Sequence, residues 1–549
     1  MVAIVVPPGT TSITTEYQEN TTITSITIPA SVTTIGDYAF KACSSLTTVI
    51  FEPGSQLTTI GKYAFAIYNN DNINNEGDSI VYIVPLTAIT IPASVTSIGN
   101  NAFQGCTHLT TVIFEPGSQL TSIEEYVFAI YLEPKPINFT DIAGTENALA
   151  GTENEFVYPP MGTPHIVPLT SISIPASVTR IDNYAFQACT SLTTITFDTG
   201  SQLTSISQTA FDRLTYNRGT SITNTTASVP LETVITYTNL PGSIFDMFNT
   251  SNVKTLVLNY SGAIEASQYN SWLALENLTI GPGITSIGDG AFASCVSLTT
   301  LTTYATNPSI AQTSFQGCTA LETVIAYGNM SLETFTGFNA ENSVLNLELN
   351  YSGTIGANQY SGVDGNLGLG TIKITIGPNI TSIGDSAFAS CGANVVDFGS
   401  NSQLTTIGSY VFAGLSLMTS IIIPASVTSI GDFAFISCNN LTNVRFLGNV
   451  PSLGSSSFIK EYGATVTYAS NTNSVPLADY FTIIINAAHL LAPQASNAAT
   501  NIVLKNNTSI HIQNYTFLYM AKSNLGGSRI TGLRHVTNRP FNMWYLNRK

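Results

Sequence analysis

Charged side chains are scarce in this sequence. They make up 9% of its 549 residues, against roughly 25% in an average soluble domain. Threonine, serine and asparagine take their places, so the surface must be polar but mostly uncharged. No window approaches the roughly 18 unbroken apolar residues that a membrane-spanning helix needs. Hydrophobic residues still make up 44% of the chain, which permits a large core and argues against general disorder.

Signatures of catalysis and of metal binding are missing as well. The five histidines form no pair at metal-ligand spacing, and the sequence has no H-E-x-x-H, G-x-S-x-G or G-x-x-x-x-G-K-[ST] motif. Acidic residues such as Asp37, Asp289, Asp385 and Asp432 recur at one place in a repeat, which is typical of turn residues rather than of an acid–base pair. The sequence therefore predicts a protein that is not an enzyme and needs no cofactor or metal.

The N-terminal residues do not fit the pattern of a secretory signal. Its first twelve residues, MVAIVVPPGTTS, have no basic region and only a short apolar stretch. We therefore expect synthesis in a cytoplasm, and we leave open a later display on a virion or on a cell surface.

One motif recurs along most of the chain. A typical repeat reads L-x-x-I-x-I-P-x-S-V-x-x-I-G-x-x-A-F-x-x-C, and the shortest intervals between copies are 23 to 25 residues, with insertions or degenerate copies in the longer ones. Its opening alternates as a short strand does, and the proline that follows turns the chain. No single repeat can bury its apolar side, but stacked repeats bury a continuous one. The pattern predicts a repeat solenoid with one parallel β-sheet. The phenylalanine of the motif stands at Phe40, Phe65, Phe103, Phe128, Phe186, Phe211, Phe292, Phe315, Phe388, Phe412, Phe435 and Phe458.

Every cysteine occupies the last position of this motif. Disulfides and zinc sites are the alternatives to a packing role, but the chain has no C-x-x-C pair. We expect small, buried, reduced side chains that fill the core. These structural core residues are Cys43, Cys106, Cys189, Cys295, Cys318, Cys391 and Cys438.

The motif resembles the BspA-like leucine-rich-repeat family. The segments LTSISIPASVTRIDNYAFQAC (Leu169–Cys189) and MTSIIIPASVTSIGDFAFISC (Met418–Cys438) carry the family pattern nearly complete, and the resemblance extends with gaps from about residue 21 to 460. It implies a leucine-rich-repeat array of the kind found in surface and secreted proteins of bacteria and protists, and also in large DNA viruses. Where a role is known in that family, it is adhesion or the binding of host proteins.

The sequence predicts three parts. Insertions in the repeats are rich in asparagine, glycine, glutamate and proline, and we expect them to project from one face. The parts are an N-terminal cap at 1–20, a leucine-rich-repeat solenoid at 21–470 with insertions near 69–82, 132–165 and 212–230, and a small, basic, β-rich C-terminal cap or docking domain at 471–549.

Threonine dominates the predicted outward positions of the strands. It has a high strand propensity and keeps an exposed sheet soluble, which explains the pattern without any ligand. The alternatives are a surface for a neutral partner, a glycan or a protein, and an ice-binding grid. The candidate binding face consists of Thr27, Thr48, Thr90, Thr111, Thr194, Thr196, Thr279, Thr300 and Thr302.

The C-terminal tail differs in charge from the rest. Seven of the 17 basic residues follow Asp479, and none of the 33 acidic residues does. The tail is interpreted as a cap for the last repeat or as a docking module for an acidic partner, which could be another copy. Nucleic-acid binding is the weakest interpretation, because no motif supports it. The candidate docking residues are Arg529, Arg534, Arg539, Trp544 and Arg548.

Together these features predict a non-enzymatic interaction or structural protein. It would be displayed on a surface and would assemble with itself or bind a protein partner. The alternative is an adhesin that acts as a monomer through the solenoid face.

Overall fold

The computed structural model describes residues 2–66, 84–129, 167–211, 231–245, 252–335, 344–362 and 372–458, apart from 332, 442, 450 and 456, and the backbone of several short strands elsewhere. The chain forms two compact units. Unit 1 is Met1–Ser261 with Trp272–Leu275, and unit 2 is Gly262–Ser271 with Glu276–Lys549.

Unit 1 is a stack of turns, each of which contributes one long strand. All of the pairings between these strands are parallel. The hydrogen-bonded ladder is interrupted after Thr48–Phe51 and after Thr111–Phe114, where the first two insertions enter. The long strands are Val2–Val5, Ile23–Ile28, Thr48–Phe51, Ala88–Ile91, Thr111–Phe114, Ser171–Ile174, Thr194–Phe197, Thr233–Thr236 and Thr255–Leu258.

Unit 2 repeats the same construction. Its long strands form one parallel ladder of six strands and a second one of three. They are Asn277–Ile280, Thr300–Thr303, Thr323–Ala326, Asn346–Leu349, Ile372–Ile376 and Ala393–Asp397, followed by Ser420–Ile423, Asn443–Phe446 and Thr465–Tyr468. The predicted solenoid of parallel strands is therefore confirmed.

A second set of short parallel strands, which the repeat pattern did not predict, runs along the solenoid turns in separate ladders of three to five strands. In unit 1 it consists of Ser12–Ile13, Thr34–Ile35, Thr59–Ile60, Ser97–Ile98, Ser122–Ile123, Arg180–Ile181 and Ser205–Ile206. In unit 2 it consists of Gly262–Ile264, Ile284–Ile287, Ser309–Ile310, Gly353–Ile355, Ile380–Ile383, Thr406–Ile407, Ser429–Ile430 and Ser452–Leu453. Nearly all of these strands end at the isoleucine of the V-x-x-I part of the motif or its equivalent, so one repeat contributes a strand to each of two parallel arrangements.

The remaining elements belong to neither set of parallel strands. Antiparallel hairpins pair Tyr68–Ile73 with Ser79–Tyr82 and Lys135–Pro136 with Phe156–Val157, in the first two insertions. A short helix spans Gly242–Phe245. Tyr480–Phe481, Ser509–Ile510 and Tyr519–Met520 form a small sheet, which is the described part of the predicted C-terminal domain. Among the described residues, no helix is long and apolar enough to span a membrane.

Aromatic rings form a continuous column through the core of unit 1. Neighbouring rings lie nearly parallel, with centroids 5.0–5.6 Å apart. The repeat places one ring in each turn, and the stacking of turns brings the rings face to face. The column consists of Tyr17, Phe40, Phe65, Phe103, Phe128, Phe186 and Phe211. Unit 2 has equivalent columns at Tyr269–Phe292–Phe315 and at Tyr360–Phe388–Phe412–Phe435–Phe458.

Threonine hydroxyls also connect successive turns, through hydrogen bonds to backbone carbonyls of the preceding turn. Thr33 donates to the carbonyl of Thr11 at 3.0 Å, Thr58 donates to that of Thr33 at 3.0 Å, and Thr96 donates to that of Thr58 at 3.1 Å. In unit 2, Thr428 donates to the carbonyl of Thr405 at 3.1 Å. Part of the threonine content of the chain therefore serves the stacking of turns.

The glycine of the I-G pair marks the closest approach between turns. A Cβ atom built on Gly61 would lie 2.5 Å from the backbone of Gly36 and Asp37, whereas one built on Gly36 would come no closer than 3.1 Å to the backbone of the first turn. The side chain is therefore excluded at Gly61 by the neighbouring backbone, which cannot move aside as a flexible side chain would.

Replacing Gly61 with alanine should lower the stability of unit 1 by about 1–3 kcal/mol, because the added methyl group forces adjacent turns apart. Gly36→Ala is the matched control and should cost clearly less. Thermal unfolding followed by circular dichroism compares the two variants. Equal losses would show that the clearance between turns is not what selects glycine at this position.

Candidate functional site

The long strands of each unit present one side to the core and the other to solvent. In Ile23–Ile28, Ile26 and Ile28 are buried, and Thr27 faces outward. The nine candidate threonines all occupy such outward positions. Thr48, Thr90 and Thr111 are exposed, and the other six, Thr27, Thr194, Thr196, Thr279, Thr300 and Thr302, are half-buried.

Two isoleucines stand among the outward threonines of unit 1. Ile50 is 49% exposed and Ile113 is 51% exposed. Each occupies the third position of its strand, and in the parallel register Ile50 is level with Thr27 and Ile113 is level with Thr90. We call Ile50 and Ile113, together with Thr48, Ala88, Thr90 and Thr111, the isoleucine patch. The strand alternation in the sequence already places both isoleucines outward.

Charge is absent from the isoleucine patch and begins at its rim. Glu52 and Glu115 directly follow the two isoleucine-bearing strands and are exposed. Their carboxylates accept hydrogen bonds from the backbone N–H groups of Ala30 at 3.3 Å and Ala93 at 3.1 Å. These bonds hold both acidic groups along the same edge of the sheet. An apolar centre with a polar rim is the usual composition of a protein–protein contact surface.

The outward face of unit 2 has a different character. Lys373, Asp397 and Arg445 are exposed on its strands, and the Nζ atom of Lys373 lies 3.6 Å from a carboxylate oxygen of Asp397. Exposed ion pairs of this kind contribute little to stability. Charge therefore enters the outward face only in the later strands of unit 2, because Asn277–Ile280, Thr300–Thr303 and Thr323–Ala326 carry none.

The aspartates of the repeat accept hydrogen bonds from backbone N–H groups. Asp37 accepts the N–H of Lys62 at 2.7 Å, Asp385 accepts that of Ser409 at 2.7 Å, and Asp432 accepts that of Ser455. Each carboxylate thus joins its own turn to the next one. This arrangement agrees with their interpretation as turn residues, and no cluster of three or more potential metal ligands occurs among the described residues.

All seven cysteines are buried thiols, and none is in a disulfide. They do more than fill space, because most donate a hydrogen bond to the carbonyl of the aromatic residue one turn earlier. Cys43 donates to Tyr17 at 3.0 Å and Cys318 donates to Phe292 at 3.1 Å. Burial raises the pKa of Cys43 to about 11 and that of Cys106 to about 12. These two thiols therefore stay protonated at neutral pH and are poor nucleophiles.

The predicted docking tail lies outside the described residues. This applies to Arg529, Arg534, Arg539, Trp544 and Arg548.

Parallel strands, turns of about 24 residues and an inward-facing aromatic column define this protein as a leucine-rich-repeat solenoid. The family model for the BspA type leucine rich repeat region, in six copies, matches residues 11–84, 76–143, 165–241, 243–363 and 367–480. The chain belongs to this family, whose repeat serves protein interaction. No curated protein matches the sequence.

Three bacterial proteins are among the solved structures that match this chain. A leucine-rich repeat protein from Bacteroides ovatus is 17% identical, with a TM-score of 0.22, and the match covers 85% of this chain and 92% of that one. The pneumococcal vaccine antigen PcpA is 15% identical, with a TM-score of 0.25, and the match covers 89% of this chain and 84% of that one. A leucine rich cell surface protein from Faecalibacterium prausnitzii is 22% identical, with a TM-score of 0.23, and the match covers 81% of this chain and 88% of that one.

Proposed function

We propose that this chain is a non-catalytic recognition protein that binds a protein partner through the isoleucine patch of unit 1. The observation that carries the proposal is the half-exposed pair Ile50 and Ile113 on an uncharged sheet face. Large apolar side chains that stay exposed within a contiguous surface are typical of interaction sites. Since Glu52 and Glu115 line one edge, the best-fitting partner offers an apolar side chain flanked by basic groups.

A binding role also agrees with the other candidate groups of the repeat. The described aspartates Asp37, Asp385 and Asp432 join successive turns, and all seven thiols are buried. Catalysis needs a group that is both accessible and suitably ionised. Surface display and adhesion are the settings we propose, in line with the cell surface protein named among the structural neighbours.

A second candidate function is self-assembly through the basic tail. The seven basic residues after Asp479, with no acidic residue among them, favour contact with the acidic remainder of another copy. Such an association would weaken as salt is added, because exposed charge pairs are screened.

The test uses an array of purified cell-surface and matrix proteins, together with a glycan array. The double variant Ile50→Glu/Ile113→Glu should bind the array protein captured by the wild type at least tenfold more weakly. The reason is that burial of one isoleucine contributes about 1.5–3 kcal/mol. Leu273→Glu is the matched control, since Leu273 is 56% exposed and lies away from the long strands. Its binding should stay unchanged.

Two results would count against this proposal. One is retention of every array protein by the isoleucine variant at wild-type strength. The other is binding to glycans alone, which would assign the sheet face to a different class of ligand.

A further inference from the structure

Two tyrosines of unit 2 form an exposed aromatic pair at the carboxyl ends of two long strands. Tyr304 directly follows Thr300–Thr303, and Tyr327 directly follows Thr323–Ala326. Their rings stack with centroids 4.7 Å apart and planes 9° from parallel. The two side chains are 42% and 44% exposed, unlike the buried rings of the aromatic column. We call Tyr304 and Tyr327 the tyrosine pair.

The strand register shows which residue lies beside the tyrosine pair in the preceding turn. The backbone N–H of Tyr304 donates to the carbonyl of Ile280 at 2.7 Å, which continues the parallel pairing of the two strands. Gly281, the residue after Ile280, is therefore level with Tyr304. Because glycine has no side chain, none from this row covers the face of the Tyr304 ring that is turned away from Tyr327. The row leaves one face of an aromatic ring open to a ligand.

Two exposed asparagines follow the tyrosine pair in the chain, and their amides are held in a fixed orientation. The Oδ1 atom of Asn307 accepts the backbone N–H of Ser331 at 2.6 Å. The Oδ1 atom of Asn329 accepts a hydrogen bond from the Nε2 group of Gln359 at 2.6 Å. The backbone N–H of Asn307 also donates to the carbonyl of Asn329 at 3.1 Å, which joins the two segments. Within the described part of the chain, neither Nδ2 group donates a hydrogen bond, so two donors remain for a ligand.

The segments around the tyrosine pair carry no charge, unlike those around a similar stack in unit 1. Residues 305–312 and 328–331, which follow the two tyrosines, contain no charged side chain. At the stacked rings of Tyr38 and Tyr63, by contrast, the Nζ atom of Lys41 lies 5.0 Å from the centroid of the Tyr38 ring. A charged ligand would lose hydration at the tyrosine pair without gaining a counterion, so the site favours a neutral ligand.

The combination of an aromatic face and amide donors favours a glycan among neutral ligands. A pyranose ring presents C–H groups on one face and hydroxyl groups around its rim. Because the face of an aromatic ring is electrically negative, it attracts the C–H face of a sugar. The amide donors of Asn307 and Asn329 can bind hydroxyl groups that would otherwise lose their hydrogen bonds to water. A purely apolar ligand would leave these donors unpaired.

We propose that Tyr304, Tyr327, Asn307 and Asn329 form a binding site for a neutral glycan on unit 2. The site shares no residue with the isoleucine patch, so it adds a second ligand to the protein recognition proposed above. It binds through stacking and uncharged hydrogen bonds, and its affinity should therefore change little as salt is added.

A glycan array probed with the full chain tests the site. Its neutral probes are maltoheptaose, cellohexaose, chitohexaose and poly-N-acetyllactosamine, and its acidic probes are sialylated and sulfated glycans. The wild type should retain a neutral probe. Tyr304→Ala should weaken that binding by about tenfold or more, whereas Tyr304→Phe keeps the ring and should change it by less than about threefold.

A second variant keeps the test decisive if Tyr304→Ala does not fold. Asn307→Asp retains the oxygen that accepts the N–H of Ser331, but it replaces the Nδ2 donor with an acceptor and adds a charge. It should weaken binding of the neutral probe several-fold with an unchanged circular dichroism spectrum.

Two control variants separate this site from other surfaces. Tyr410 is 42% exposed and stacks on Phe433 at 5.1 Å in the same unit, so Tyr410→Ala removes a similar ring elsewhere and should leave glycan binding unchanged. Ile50→Glu/Ile113→Glu should also bind the neutral probe as the wild type does, although it loses the array protein.

Three results would overturn the glycan site. They are a wild type that retains no neutral probe, retention of acidic probes alone, and wild-type binding by both Tyr304→Ala and Asn307→Asp. Loss of glycan binding in the isoleucine variant alone would also overturn it, because the glycan would then occupy the isoleucine patch. Failure of protein capture, with glycan binding that depends on Tyr304, would instead count only against the recognition of a protein.

Discussion

Replacing Phe65 with alanine should lower the free energy of unfolding of unit 1 by about 3–5 kcal/mol, the usual cost of removing a buried phenylalanine. The ring of Phe65 is fully buried, and it stacks between those of Phe40 and Phe103 at centroid distances of 5.0 and 5.2 Å. Its removal would open a gap in the aromatic column that neighbouring turns, each held by inter-turn hydrogen bonds, cannot close. Urea unfolding followed by circular dichroism measures the loss.

Tyr38→Ala is the matched control for this experiment. The ring of Tyr38 stacks on that of Tyr63 at 5.3 Å but is 38% exposed. The stacking geometry is therefore nearly the same, whereas the burial differs. We expect a cost of about 1 kcal/mol or less, the range measured for aromatic pairs alone. Similar losses in the two variants would contradict the view that burial of the column holds the turns together.

Alkaline pH should destabilise the protein through its buried thiols. Burial raises the pKa of Cys43 to about 11, raises those of Cys106 and Cys391 to about 12 and raises that of Cys189 further. In the unfolded chain the thiols ionise near pH 9. Between pH 9 and pH 11 the unfolded state therefore loses protons that the folded state keeps. Stability should fall in this window by about 1.4 kcal/mol per pH unit for each thiol.

The thiol contribution is isolated by replacing Cys43, Cys106, Cys189 and Cys391 with alanine. This variant should be less stable at pH 8, because packing is lost, but its stability should decline less steeply from pH 9 to pH 11. Tyr360, whose pKa is raised by burial, is retained in both proteins and cancels in the comparison. Urea midpoints in the presence of a reductant give the two slopes. Parallel slopes would show that the thiols are not protected from ionisation by the fold.

The sequence predicted the repeat, the long strands and the inward side of each strand, because burial on one face forces an alternation that can be read directly. It could not predict the backbone conformation within each turn. Tyr38 has a φ of 63° and Ala42 a φ of 60°, a left-handed conformation that is rare for residues other than glycine. Inter-turn bonds from their N–H groups to Lys62 and Ala66 stabilise it. Because those partners lie in the next turn, the local sequence does not show that this conformation is stabilised.

The candidate site was predicted in part, for a related reason. Alternation places Thr48, Thr90 and Thr111 outward, as the structure shows, and it places Ile50 and Ile113 there as well. The degree of exposure of those isoleucines depends on which strands flank them and on where the insertions leave the stack. Neither is encoded in the local pattern. A role of the threonine face in binding stays a prediction, and so do the contacts of the C-terminal tail.

The most direct test of recognition through the isoleucine patch is hydroxyl-radical footprinting of the chain with and without the partner selected on the protein array. The account predicts that oxidation of Ile50 and Ile113 falls several-fold in the complex, while that of Leu273 stays unchanged. Unchanged oxidation of both isoleucines in a complex that protects other parts of the chain would contradict it.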